Sequence, residues 1–403
     1  MYLRTLSIRN FRNLRRAELD FRGPAGAPQQ WSVVVGENGT GKTSVLHALG
    51  LLLSSRRELS RFLGCPSEWV RPGSRGTNLF AEFVDAKGWP HSRALDLKLG
   101  DSTEDVLRRC AFPDFPDLFS AGYGAGRGSA RPATEPTSAG TPEFSRSRIA
   151  PLFDDSEPLR IFGGGTSASA QRLRGSLKRV LPGADDVEDD GEGVVVSFGR
   201  SHRRIAELSQ GSRTFSRWCG DLLAHIERHH GPNVDPSRVA GIVIVDELEL
   251  HLDVRWQRQV RALLCSTFPR VQFVCSTHSA VVSQQANRGE LFVVGRAGNR
   301  SSAVSRFPGA PSELLLHELL ASPVFGEQPV ESVEVQARRD ELRRLVGLPR
   351  KSVAERRRLR ELQEDLAEAE CDRWRSNRER SRERFFNRLA RRLDILERLP
   401  RAS

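Results

Sequence analysis

Gly36-Glu37-Asn38-Gly39-Thr40-Gly41-Lys42-Thr43-Ser44 is the stretch that decides the fold. It fits G-x-x-x-x-G-K-[ST], a pattern whose meaning depends on its flanks. Just before it, Trp31-Ser32-Val33-Val34-Val35 is a short apolar run of the kind that forms a buried parallel strand. Just after it, Val45, Leu46, Ala48, Leu49 and Leu52 recur at helical spacing. Strand, glycine-rich loop and helix in that order make a phosphate cradle. Backbone N–H groups turn toward the anion, the helix N-terminus adds its dipole, the lysine reaches the β/γ-oxygens and the hydroxyl ligates Mg2+. Gly36, Asn38, Gly39, Gly41, Lys42, Thr43 and Ser44 are therefore the nucleotide-binding candidates, with ATP and Mg2+ as the expected ligands. Only five of the 62 basic residues are lysines, so a lysine kept at position 42 fits a specific role.

Three later segments supply the remaining chemistry. Ala240-Gly241-Ile242-Val243-Ile244-Val245 reads as a second buried strand and ends in Asp246-Glu247, at the strand edge where nucleotide sites of such sheets lie. Asp246 is the second metal candidate beside Thr43, and Glu247 the general base for the attacking water. Phe273-Val274-Cys275-Ser276-Thr277-His278 is a third strand ending in polar residues, and His278 is a candidate γ-phosphate sensor. Leu208-Ser209-Gln210-Gly211-Ser212 precedes an amphipathic helix and by itself reads as an N-cap.

Taken in order, the P-loop, the LSxG segment, the hydrophobic strand ending in Asp-Glu and the strand ending in His resemble the ABC-type ATPase head. That resemblance implies a P-loop α/β fold with a mostly parallel core sheet and antiparallel N-terminal strands. It implies head-to-head dimerisation, with Ser209 and Gly211 meeting the γ-phosphate bound by the other copy. The run Asp246-Glu247-Leu248-Glu249-Leu250-His251-Leu252-Asp253, Trp256-Gln257, and Ser276-Thr277-His278-Ser279 is similar to a narrower group. These are the bacterial ATPases related to the OLD family, above all the PtuA-like ATPases of the Septu anti-phage system and their retron-associated relatives. Tyr123-Gly124-x-x-Arg127 and Leu152-Phe153-Asp154-Asp155 fit the same group. Ile8-Arg9-Asn10-Phe11-Arg12 is shared with RecF, and in such heads this segment lies near the nucleotide base, which adds Arg12 to the nucleotide-binding candidates. The chain departs from the ABC pattern in having Ser212 where a Gln is usual and in lacking a Gln-containing Q-loop after the P-loop.

Composition bounds what else the chain does. With 403 residues, 38% hydrophobic, and a mean hydropathy of −0.45, it is long enough for a large core and has no run of apolar residues that would span a membrane. Six cysteines without a C-x-x-C pair argue against a disulfide framework or zinc site, and the N-terminus lacks a signal peptide's apolar core, so a cytoplasmic location is expected. The net charge of +11 first suggests nucleic acid, yet the excess of Arg over Lys suits a G+C-rich genome as well. Within 371–403 there are 11 basic and 5 acidic side chains, which concentrates +6 in a tail expected to be helical.

The expected organisation is an N-terminal half-head over 1–60, an inserted region over 61–200 with a mobile stretch at 121–148, the second half-head over 201–330, and a helical basic region over 331–403. Tyr2–Ile8 and Ala17–Phe21 are expected as edge strands. Lys42 and Asp246 are 204 residues apart, which leaves no room for a long coiled-coil arm, and no Toprim, HNH or H-E-x-x-H cluster follows. The leading expectation is an ATPase that self-associates and gates a separate effector, such as a nuclease, in anti-phage defence. Any contact with nucleic acid is expected through the tail. A RecF-like repair ATPase and a nucleotide-sensing scaffold with little turnover are the alternatives.

Overall fold

The computed structural model describes residues 1–23, 26–110, 118–128, 147–154, 159, 168–190, 193–231, 233–296, 302–325 and 333–370. They fall into two compact units, Met1–Glu327 and Gln328–Ser403. In chain order the first unit opens with β1 (Tyr2–Phe11), β2 (Leu14–Asp20), β3 (Trp31–Val35), α1 (Lys42–Leu53) and α2 (Arg56–Phe62). Next come β4 (Gly76–Val84), β5 (Pro90–Lys98), α3 (Thr103–Arg109), β6 (Phe119–Tyr123), β7 (Ser147–Arg148) and α4 (Ala150–Phe153). Then follow α5 (Ala168–Val180), β8 (Asp186–Asp189), β9 (Val194–Phe198), β10 (Ser201–Arg204) and α6 (Gln210–His230). The unit ends with β11 (Gly241–Val245), α7 (Val254–Thr267), β12 (Val271–Thr277), α8 (Ala280–Ser283), β13 (Leu291–Arg296), β14 (Ser302–Arg306) and α9 (Leu316–Leu320).

Among the described residues one large sheet runs in the order β5-β4-β1-β2-β14-β13-β3-β12-β11-β6-β7, and a small antiparallel sheet in the order β10-β9-β8. The centre is parallel: β3, β12, β11 and β6 pair side by side, as do β13 and β3. The strands β1, β2, β4 and β5 pair antiparallel. This is the mixed α/β head expected from the order of motifs.

The central strands β3, β11 and β12 read as mainly apolar runs because both their faces are covered. Period-2 geometry divides each run between two cores. Val33, Val35, Val243, Val245, Phe273 and Cys275 face a core shared with Trp218 and Leu222 of α6 and Leu264 of α7. Val34, Ile242, Ile244 and Val274 face the other, shared with Val45, Leu46 and Leu49 of α1. Helix α1 is buried nearly all round, which is why its sequence is apolar rather than striped.

Three expectations need correction. β1 and β2 are interior strands, flanked by β4 and β14; their alternation reports one exposed sheet face, not an edge position. The 61–200 stretch is no separate inserted region, since β4, β5, β6 and β7 all belong to the large sheet. The stretch 121–148 is not wholly a mobile insertion either: Phe119–Tyr123 is a buried strand paired with β11 and β7. Its Ser120-Ala121-Gly122 core has small side chains because it sits inside the molecule, and small residues in sequence mimic a loop. Residues 129–146 lie outside the described set.

The second unit contains α10 (Val333–Gly347) and α11 (Val353–Glu370), a helical hairpin joined by the Arg358–Glu341 ion pair at 2.9 Å. Leu345, Leu362 and Leu366 are its buried apolar residues. The basic tail 371–403 lies outside the described residues.

Candidate nucleotide site

The P-loop leaves the C-terminal end of β3 and enters α1 directly, so the first helical residue is Lys42 itself. Its ammonium is folded back onto the loop, donating to the carbonyls of Gly36 at 2.8 Å and Glu37 at 3.0 Å. Burial lowers the Lys42 pKa, opposed by the nearby carboxylates of Asp246, Glu247 and Glu249. Gly36 is dictated by close approach: a Cβ there would lie 2.3 Å from the Val294 carbonyl oxygen of β13. Asn13, at the turn between β1 and β2, braces the loop by donating to Gly39 O at 2.9 Å and accepting from Ser44 Oγ at 3.1 Å.

Thr43 and Asp246 meet across the parallel sheet. Thr43 Oγ1 donates to Asp246 Oδ2 at 2.9 Å, while the other carboxylate oxygen accepts from Ser276 Oγ on the adjoining strand β12. A hydroxyl and a carboxylate brought this close are hard oxygen donors, which fit Mg2+. Asp246 extends the strand ladder through its N–H to Tyr123 O at 2.8 Å. Glu247 then leaves it with φ of +46°, the left-handed region that costs an L-residue about 1–2 kcal/mol. Its N–H donates to Ser276 Oγ at 2.8 Å.

Glu249 holds the end of β12. It accepts from Thr277 Oγ1 at 2.6 Å and from the His278 N–H at 2.5 Å, which fixes the backbone beside the exposed His278. Arg12 also adopts a left-handed φ, of +50°, and its guanidinium lies 4.2 Å from the centroid of the Trp69 ring. It donates to His47 Nδ1 at 3.1 Å. Burial and the Arg12 charge lower the His47 pKa to about 4.

Together these residues open onto a cavity of about 420 Å³ lined by Arg12, Asn13, Asn38, Gly39, Gly41, Lys42, Thr43, Ser44, Asp246, Glu247 and His278. Gly36 lies beneath the loop, contributing its carbonyl to Lys42. Ser209 and Gly211 are elsewhere: Ser209 caps α6, accepting from the Ser212 N–H, and is exposed. Gly211 packs on the turn after β11 so closely that a Cβ would sit 1.9 Å from the His251 carbonyl oxygen. Sequence reasoning missed Asn13, Ser276 and Glu249 as site residues. Ser276 and Glu249 stand inside segments already singled out, whereas Asn13 sits in a turn with no motif to mark it.

Residues 32–283 match the family described as "AAA domain, putative AbiEii toxin, Type IV TA system". The chain is 23% identical over 333 residues to the Septu protein PtuA of Bacillus mycoides (strain KBAB4), covering 81% of this chain and 45% of that protein. It is 30% identical over 165 residues to the Retron Ec83 probable ATPase of Escherichia coli, covering 40% of this chain and 30% of that one. The chain thus spans less than half the length of these curated relatives. Among solved structures, the SMC head domain from Thermotoga maritima aligns with a TM-score of 0.45 and 17% identity, covering 76% of this chain and all of that domain. With the match extending from β3 through α8, over half of the 403 residues, the chain belongs to this AAA-domain family.

Proposed function

We propose that the chain binds and hydrolyses ATP, and that nucleotide-dependent pairing of two copies gates a nuclease-class effector in anti-phage defence. The observation that carries the reading is the convergence of Lys42, Thr43, Asp246, Glu247 and His278 on one cavity from three adjacent parallel strands. Similarity to a Septu protein and a retron ATPase supports the defence setting.

In this reading Lys42 leaves the Gly36 and Glu37 carbonyls to meet the β/γ-phosphates, and the loop N–H groups bind the β-phosphate. Thr43 and Asp246 would hold Mg2+, which when bound neutralises charge on the phosphate oxygens. Glu247, presented by its left-handed backbone, orients the attacking water and takes its proton. His278 reads the γ-phosphate, and Arg12, braced by Trp69 and His47, faces the nucleotide base. Ser209 and Gly211 are assigned to the γ-phosphate held by a second copy, so that closure depends on ATP and opening on its hydrolysis.

Two variants test this. Lys42→Ala abolishes binding of a fluorescent ATP analogue. Glu247→Gln keeps binding within a few-fold and lowers turnover by about 100-fold or more. Wild-type turnover in the Glu247→Gln protein would remove the assignment of the base, and a wild-type chain that binds ATP without turnover would favour a nucleotide-sensing scaffold.

A further inference from the structure

Arg127 is buried to 2% exposure beneath the site, outside the cavity lining. It lies just past the end of β6, the strand next to β11, in a short helical turn over Ala125–Gly128. Among the described residues, the groups that accept from it are all backbone carbonyls. Nη1 donates to Gly124 O at 2.9 Å and to Asp246 O at 2.5 Å, and Nη2 donates to Glu247 O at 2.6 Å. Burying a guanidinium is costly without strong partners; burial lowers the Arg127 pKa, partly opposed by the field of Asp246, Glu249 and Glu247, and its donors are held by consecutive carbonyls of the two acidic residues. The contact is placed at one of the non-glycine residues with a left-handed backbone. Glu247 is held at φ +46°, with its N–H tied to Ser276 Oγ on one side and its carbonyl tied to Arg127 on the other.

We propose that Arg127 is a positioning residue for hydrolysis: its planar fork clamps the Asp246 and Glu247 carbonyls and so fixes the strained turn that presents the Glu247 carboxylate to the water. The inference rests on the ATPase reading above. A fork suits the task because its two terminal nitrogens each hold one of two consecutive carbonyls, which a lysine's single ammonium does less well. Arg127 does not itself line the cavity and reaches it only through the Asp246 and Glu247 backbone, so its effect is expected mainly on turnover and little on nucleotide affinity.

The test uses the full chain with Arg127→Met, which removes every donor at similar volume, and Arg127→Lys, which keeps charge and part of the bonding. Binding of a fluorescent ATP analogue gives the folded, competent fraction, and turnover is expressed per bound nucleotide, a ratio that partial misfolding does not move. The expected result is an analogue Kd within about threefold of wild type, turnover per bound nucleotide lowered about 10- to 100-fold in Arg127→Met, and an intermediate value in Arg127→Lys. Glu247→Gln sets the floor. If wild type hydrolyses ATP and both variants match it per bound nucleotide, the positioning role is wrong while the ATPase reading stands. If wild type itself shows no turnover, the ATPase reading fails and this role with it.

Discussion

His47 lies one helical turn beyond Thr43 on α1, where its Nδ1 faces the Arg12 guanidinium at 3.1 Å. A guanidinium only donates, so the ring must accept there and stay neutral. Burial and the Arg12 charge lower its pKa to about 4 from the ordinary 6.5, partly opposed by Asp246 and a hydrogen bond involving the Leu152 backbone. The unfolded chain therefore takes up the proton first as pH falls. Stability from neutral His47 is complete above about pH 6.5 and is lost between there and pH 4, by up to about 3 kcal/mol. Urea unfolding of wild type and His47→Gln at several pH values measures this. The stability difference, wild type minus variant, should hold steady above pH 7 and fall toward pH 5; an equal gap at both ends would remove the linkage. Sequence pointed to Arg12 through the Ile8-Arg9-Asn10-Phe11-Arg12 segment, but His47 broke no pattern and Asn13 stood in a plain turn. Their partners are set by tertiary contact, which spacing along the chain does not encode.

At the level of elements, β6 flanks β11 on the side away from β12. Its Tyr123 hydroxyl donates to Asp221 Oδ2 of α6 at 3.0 Å, and Arg148 of β7 grips both oxygens of that carboxylate at 2.6 Å. Asp221 is fully buried and Arg148 nearly so, so removing one partner strands the other charge away from water. Asp221→Ala should cost about 3–5 kcal/mol, whereas Asp221→Leu with Arg148→Met together should cost much less, as measured by denaturant midpoints. A double variant no more stable than Asp221→Ala would show that the cost does not come from an uncompensated buried charge. Neither β6 nor this triad was legible in the sequence. The strands carrying β-branched runs, Trp31–Val35, Gly241–Val245 and Val271–Thr277, announced themselves, because burial on both faces demands apolar side chains. Phe119–Tyr123 is just as buried but packs closely through Ser120, Ala121 and Gly122, and so resembled the glycine-rich stretch that follows it.

For the molecule as a whole, the order of motifs was enough to foresee a mixed sheet with the P-loop at its centre, because parallel strands put their loops on one edge. Ser209 and Gly211 at the α6 N-terminus, which the resemblance assigned to nucleotide held by a second copy, are absent from the lining of the cavity in their own chain, and Ser209 is exposed. If these residues act on nucleotide at all, a second copy must present them, and the closed state must then be a dimer whose stability depends on γ-phosphate. Light scattering of Glu247→Gln with ATP and Mg2+ should show the mass double relative to the nucleotide-free protein, because binding persists while turnover no longer reopens the pair. Ser209→Arg in the same background puts a long side chain at the helix cap that would face the phosphate, and should hold the protein monomeric. Its affinity for a fluorescent ATP analogue should stay close to that of the parent, since the cavity of a single copy is untouched. A mass unchanged by nucleotide in Glu247→Gln, or a Ser209→Arg protein that pairs as well as its parent, would count against the trans assignment of α6 while leaving the cavity and its ligands in place.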